Sequence, residues 1–183
     1  MSKEKENLPF IDYLYSLAKE NNRGALADLR KGMNGQPGSV PATFTYVAPW
    51  VPDEHRNKWQ EKVYYIIAAM FAYYQSSSGG KTLSIAFGNM GDHCRALKAK
   101  KKQSASFENR FTNLLKAHRD DLPVLLRQVL SLLRGEEIPI NWNQLFYDLT
   151  YWNSEKQTAQ RNWANSYWRY VAQTEQTEEN DQN

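Results

Sequence analysis

The sequence predicts an all-α protein, a compact bundle of about seven to nine helices. Apolar residues recur at three- and four-residue spacing through almost every stretch. Asn, Asp and Ser stand where those stretches need caps, with Pro in several first turns. Strand-like alternation is nearly absent; a short pair near Thr43–Val47 is the one candidate. The 183 residues are enough for a sizeable core without disulfides. We read one helical domain over 1–173, divisible into lobes at about 8–100 and 101–173, followed by an acidic flexible tail at 174–183.

The elements follow in order. Phe10, Ile11, Leu14, Leu17 and Ala18 mark a first helix, with Asn7 as cap and Pro9 in its first turn. A short helix follows from about Gly24 to Arg30. The Gly-, Pro- and Ser-rich stretch 32–52 reads as a long ordered loop. Asp53 opens a long helix whose Trp59, Val63, Ile66, Ile67, Met70 and Phe71 share one broad face, and the run Ser76–Lys81 ends it. A helix over Ser84–Lys102 is weakened by Gly88 and Gly91, each costing about 1 kcal/mol in a helix interior. Ser104 or Ser106 caps the next helix, whose buried face carries Phe107, Phe111, Leu114, Leu115 and His118. Asp120 or Asp121 caps another, with Pro123 in its first turn and Gly135 as its stop. Asn141 opens an aromatic helix. Ser154 and Gln157 form a capping-box pair for the last one, which carries Trp163, Tyr167 and Tyr170.

Composition excludes several classes. Six Trp, eleven Tyr and seven Phe are too many for a disordered chain. The lone Cys94 excludes a disulfide framework and a multi-cysteine zinc site, and suits a reducing, cytoplasmic setting. No apolar run approaches the roughly 18 residues of a membrane span, and the charged start Met1–Glu6 leads into no signal-peptide core.

Catalytic and cofactor motifs are weak. Gly79-Gly80-Lys81-Thr82 resembles the end of a phosphate-binding loop, but Gln75 stands where that loop needs its first glycine. His93 and Cys94 are neighbours, so on a helix they point about 100° apart and cannot form a nucleophile pair with each other. Three scattered histidines give no metal-ligand spacing. The pairs Asp120/Asp121 and Glu136/Glu137 sit at helix ends, where capping and the helix dipole explain acids near an N-terminus. We expect no enzyme, no cofactor and no metal.

The charge distribution is more informative. Residues 1–94 carry a net +1 and residues 135–183 a net −5, whereas 95–134 hold ten Lys/Arg against three acids. A helix continuing through the lysines would align Arg95, Lys98 and Lys102 on one stripe, beside the loop Lys100–Lys102. On the next helix Arg110 and Arg119 flank the apolar face and Lys116 points away from it. Arg127 and Arg134, seven residues apart, share a polar ridge opposite Leu122, Leu126, Leu130 and Leu133. Charged helix faces are commonly just solvated, but this concentration points to a polyanion gripped through its phosphates. The tryptophans Trp142, Trp152, Trp163 and Trp168 read as core or as a protein-binding face in preference to a base-stacking platform.

The segments G24ALADLRKG, S84IAFG, S106FENRFTNLLKAHRDDLPVLLRQVLSLL and I138PINWNQLFYDLTYW, spread over about residues 10–171, resemble the CasB family. That is the small subunit of the type I-E CRISPR Cascade surveillance complex. The resemblance implies a non-catalytic, all-helical subunit that works with other Cascade subunits and a second copy of itself. It would brace guide RNA and target DNA and hold the displaced strand during R-loop formation in antiviral defence. Arg30, Arg110, Arg119 and Arg127 match the family's basic positions. Charge geometry adds Lys31, Arg95, Lys98, Lys101, Lys116 and Arg134. Two other readings stand beside this one: a helical protein-interaction adaptor using the aromatic C-terminal face, and a metal-dependent nuclease, which would need carboxylates clustered in space.

Overall fold

Local sequence sets most helices, and packing sets where they end. A computed structural model describes residues 8–75, 86–100 and 105–168. Several expectations lie outside those residues: the Asn7 and Ser104 caps, the Ser76–Lys81 stop with its Gly79–Thr82 motif, Lys101, Lys102, Tyr170 and the acidic tail. The described residues form nine α-helices and contain no strand. The chain divides into two compact units, Met1–Ser84 and Ile85–Asn183.

The first unit contains α1 (Pro9–Lys19), α2 (Arg23–Lys31), α3 (Phe44–Val47) and α4 (Trp59–Gln75). Pro9 occupies the first turn of α1, as its fixed φ and missing N–H favour, and Leu8 is the N-cap residue. Asn22 caps α2, its side chain accepting from the Ala25 N–H at 3.1 Å. Residues 32–52 are not one extended loop. Short 3₁₀ turns at Gly32–Asn34, Pro41–Thr43 and Ala48–Trp50 surround α3, which occupies the place of the expected strand pair. Each turn needs only three residues and tolerates Pro at its start, so proline punctuation did not preclude helical structure.

Asp53 opens another 3₁₀ turn, Asp53–His55, and α4 starts six residues later than expected. Glu61 in its first turn accepts from the Asn57 N–H. The residues from Val63 to Ala72 are all buried, so α4 is covered on every side and not along one face. A helix that is apolar all round belongs in a core. Around it lie Phe10, Ile11, Leu14 and Leu17 of α1 and Ala25 and Leu29 of α2, all buried.

The second unit contains α5 (Met90–Lys100), α6 (Ala105–Leu115), α7 (Leu122–Gly135), α8 (Trp142–Thr150) and α9 (158–168). Helix α5 begins well after Ser84. Gly88 adopts φ +92°, a left-handed conformation that keeps it outside the helix. Asn89 then caps α5, its side-chain oxygen accepting from the Gly91 N–H at 2.8 Å. Gly91 is helical for a different reason: a β-carbon there would overlap the Trp163 carbonyl oxygen and lie 2.9 Å from the Trp163 Cα. Its place in the sequence marks a point where two helices come close.

Helix α7 ends on a Schellman motif. The Ile138 N–H donates to the Leu133 carbonyl at 3.0 Å and the Glu137 N–H to that of Arg134 at 3.1 Å. Glu137, at φ +54°, takes the left-handed position expected near Gly135, which remains inside the helix. Asp121 stands at the N-cap of α7 without a side-chain capping bond. Asn141 caps α8 as expected, accepting from Gln144 N–H at 3.1 Å. The last helix begins at 158 and not beside Ser154, whose hydroxyl accepts from the Thr158 N–H at 3.3 Å.

Helix α9 is the post of this unit. Trp163 donates from Nε1 to the buried Asp148 of α8 at 2.6 Å, and its ring lies 5.0 Å from that of Trp152. Tyr167 packs on Phe111 of α6 at 4.7 Å, and Trp168 donates to Glu108 at 3.1 Å. The tryptophans Trp142, Trp152 and Trp163 are core residues, which removes them from any aromatic docking face.

His93 links α5 to the start of α8, its Nε2 accepting from the Asn141 N–H at 3.1 Å. Burial pushes its pKa down to about 4, with Asp92 partly opposing. In the unfolded chain His titrates near 6.5. Between those values the unfolded state takes up a proton that the folded state refuses, so stability is full above about 6.5 and falls as pH drops toward 4. From pH 7.5 to 5 the wild type is expected to lose about 2 kcal/mol that His93→Gln does not lose, read by urea titration. Equal losses in the two proteins would refute the assignment.

Candidate nucleic-acid interface

The predicted cations separate into groups once their partners are known. Arg30 and Lys31 lie at the end of α2 in the first unit. Lys31 is exposed and pairs with Asp28 at 2.6 Å, whose carboxyl it holds below the usual range. The remaining described candidates belong to the second unit.

On α5 the cations serve the fold. Arg95 pairs with Asp92 at 3.2 Å and donates to the Ser166 carbonyl of α9 at 3.4 Å. Lys98 sits 5.9 Å from the centre of the Tyr167 ring, a cation–π arrangement. Lys100 donates to the Glu136 carbonyl at 2.9 Å, at the end of α7 where a cation meets the helix dipole favourably. The described members of the expected stripe, Arg95 and Lys98, both face α9, while Lys100 beside them reaches the end of α7.

Helix α6 ends at Leu115, earlier than the apolar periodicity suggests. Arg110 is exposed on α6 itself. Lys116 and Arg119 are exposed in the connection between α6 and α7, and not on the flank of a longer helix. Arg127 is exposed on α7, and Arg134, one ridge position further along, is half-buried. The opposite face of α7 buries Leu122, Leu126, Val129, Leu130 and Leu133. The outer surfaces of α6, its connection and α7 thus carry Arg110, Lys116, Arg119 and Arg127 away from the core.

His118 is not the expected core histidine. It is exposed in the same connection, its Nδ1 3.3 Å from an Asp120 carboxylate oxygen. The apolar stripe it was assigned to stops with the helix, three residues earlier. Sequence reasoning passed over Arg161, exposed on α9, because it stands in a segment of net negative charge. It assigned no place to Tyr147 and Tyr151, both of which are exposed. A helical projection holds the missed signal: Trp142, Leu145, Phe146 and Leu149 share one side of α8, and Tyr147 falls on the other.

Cys94 is fully buried and burial pushes its thiol pKa far up, which disfavours the reactive thiolate. No three His, Cys, Asp or Glu among the described residues gather in a group that could hold a metal ion. No described helix is long and apolar enough to cross a membrane.

Comparison with known proteins places the chain. Residues 25–168 match the family model of CRISPR-associated protein Cse2. A CRISPR-associated protein Cse2 of Thermus thermophilus is 31% identical over 161 residues, covering 87% of this chain and 88% of that protein. The crystal structure of M. ruber CasB is similar with a TM-score of 0.75 at 28% identity, over 94% of this chain and 99% of that one. A chain of a CRISPR RNA-guided surveillance complex shares the fold at TM-score 0.74 and 22% identity, over 92% and 94% of the two chains. With the family model matched over most of its length and helices of the same arrangement, the chain belongs to the CasB/Cse2 family of CRISPR-associated proteins.

Proposed function

We propose that this chain is a non-catalytic subunit of the type I-E CRISPR surveillance complex Cascade that grips nucleic-acid backbone. Its neighbours would be other Cascade subunits and a second copy of itself, and its ligands the guide RNA and target DNA. In this role base pairing with the guide reads sequence, and the protein supplies phosphate contacts that hold the displaced strand as the R-loop opens. The observation that carries the reading is the outward placement of Arg110, Lys116, Arg119 and Arg127 on α6, its connection and α7, with the apolar side chains of those helices turned inward. Family membership supports it, as does the fold shared with a chain of an RNA-guided surveillance complex. Arg30, Lys31, Arg95, Lys98, Lys101 and Arg134 are assigned supporting places, those on α5 through the packing that orients α7 and α9.

The test is fluorescence anisotropy of labelled single-stranded DNA with the purified chain between about 50 and 200 mM salt. Four phosphate contacts give a slope of log affinity on log salt near −3, roughly a fifty-fold loss over that range. Replacing Arg110, Arg119 and Arg127 together by Glu is expected to abolish binding while the melting temperature stays within a few degrees, because all three are exposed. A triple variant that binds as tightly as wild type at equal salt overturns the assignment.

A further inference from the structure

Helix α8 and the residue that follows it carry two large aromatic side chains that the core does not use. Tyr147 and Tyr151 are 59% and 54% exposed, their ring centroids 4.9 Å apart at an interplanar angle of 53°. The pair follows the four-residue helical repeat, so both rings leave α8 on the side opposite Trp142, Phe146 and Leu149. The same side holds Asn143 and Thr150 and no charged residue. A charged segment is tied to the same end of α8. The Trp152 Nε1 donates to the Ala117 carbonyl at 3.0 Å, pinning the connection between α6 and α7 to the end of α8. Ala117 is flanked by Lys116 and His118, with Arg119 one residue on, and Trp152 follows Tyr151 directly. One indole and one hydrogen bond therefore bring exposed rings and exposed cations to the same end of the unit. Of the acids there, Asp120 faces His118 and Asp121 stands at the N-cap of α7.

We infer that Tyr147 and Tyr151 form a stacking platform for unpaired bases of a single strand whose phosphates lie on Lys116 and Arg119. Cations alone take any polyanion, and exposed rings alone take many apolar faces. A single-stranded nucleic acid offers both chemistries at once, in alternation along one chain. A duplex keeps its base faces covered, so the platform gives this surface a preference for single over double strands that phosphate contacts cannot supply. The inference rests on the backbone-gripping role proposed above and adds to it the state of the strand that is held.

The experiment compares wild type with the double variants Y147A/Y151A and Y147F/Y151F, all as the full chain. The probes are a labelled oligothymidine about 15 nucleotides long and an abasic strand of the same length. Wild type is expected to bind the abasic strand at least about tenfold more weakly than oligothymidine. The alanine variant is expected to bind both strands equally, at the weaker affinity, with wild-type melting and an unchanged salt slope. The phenylalanine variant keeps its rings and is expected to match wild type. Equal affinity of the alanine variant and wild type for oligothymidine overturns the platform while a steep salt slope still upholds the phosphate grip. A change in sedimentation mass in the alanine variant, with base dependence intact, also overturns it and assigns the rings to a protein contact. If wild type binds neither strand at about 50 mM salt, the phosphate grip fails as well.

Discussion

Gly91→Ala is expected to lower the melting temperature by about 6–12 °C, although the same exchange at Gly135 should be neutral or slightly stabilising. Alanine is the better helix former at both places, by about 1 kcal/mol in an interior position. At Gly91 the added β-carbon has nowhere to go, because the Trp163 backbone fills its place. Backbone cannot rotate aside as a long side chain can, so α5 and α9 must separate. That loosens the Asn89 bonds to Asn162 and Ser166, the Arg95 bond to Ser166 and the Lys98 contact with Tyr167. Overpacking of this kind costs about 3 kcal/mol, and in a chain of this size each kcal/mol moves the melting point by about 2–4 °C. At Gly135 an added β-carbon meets nothing within 4 Å. Thermal melts of the two variants followed by circular dichroism decide the matter. A Gly91→Ala protein that melts with wild type would refute the close contact.

The second large effect is expected at Trp152. Its indole is buried, lies against Trp163 and donates to Ala117, while its own carbonyl accepts from Gln160 Nε2 at 2.8 Å. Trp152→Ala should cost about 3–5 kcal/mol from the cavity alone. Trp152→Phe keeps much of the ring and loses the hydrogen bond to the half-buried Ala117, for about 1 kcal/mol. The two variants separate packing from anchoring. The alanine variant should lose stability first. The phenylalanine variant should stay folded but bind oligothymidine less tightly, because Lys116 and Arg119 ride on the connection that Trp152 pins. Unchanged melting in the alanine variant would show that this indole is not part of the core.

The sequence was most legible where a local rule and the core agreed. Asn141 caps α8 because its side chain reaches an N–H three residues away, a contact that needs no other helix. The Leu122, Leu126, Leu130 and Leu133 stripe predicts the buried side of α7 because its spacing matches the helical repeat. Legibility failed where local rules had no information. Gly88 and Gly91 were read as helix-weakening, yet one supplies a left-handed turn and the other a close helix crossing. His118 was placed by extending a periodicity past the point where the helix ends. Glu137, and not the nearby Gly135, takes the left-handed position, because the Schellman bonds to Leu133 and Arg134 fall at that register.

The cations show the same division at the level of function. Sequence alone determined that the protein is helical, that it belongs with the CasB family and that residues 95–134 concentrate positive charge. Those properties depend on periodicity, motif and composition, which are written along the chain. Only the tertiary structure decided which charges are spent inside the fold. Arg95, Lys98 and Lys100 meet groups 36 to 71 residues away in sequence, and Arg110, Lys116, Arg119 and Arg127 are exposed. It also decided which aromatics are core and which are presented, burying Trp152 and leaving its neighbour Tyr151 exposed. A side chain's role follows from what fills the space around it, and that space is filled by residues distant along the chain.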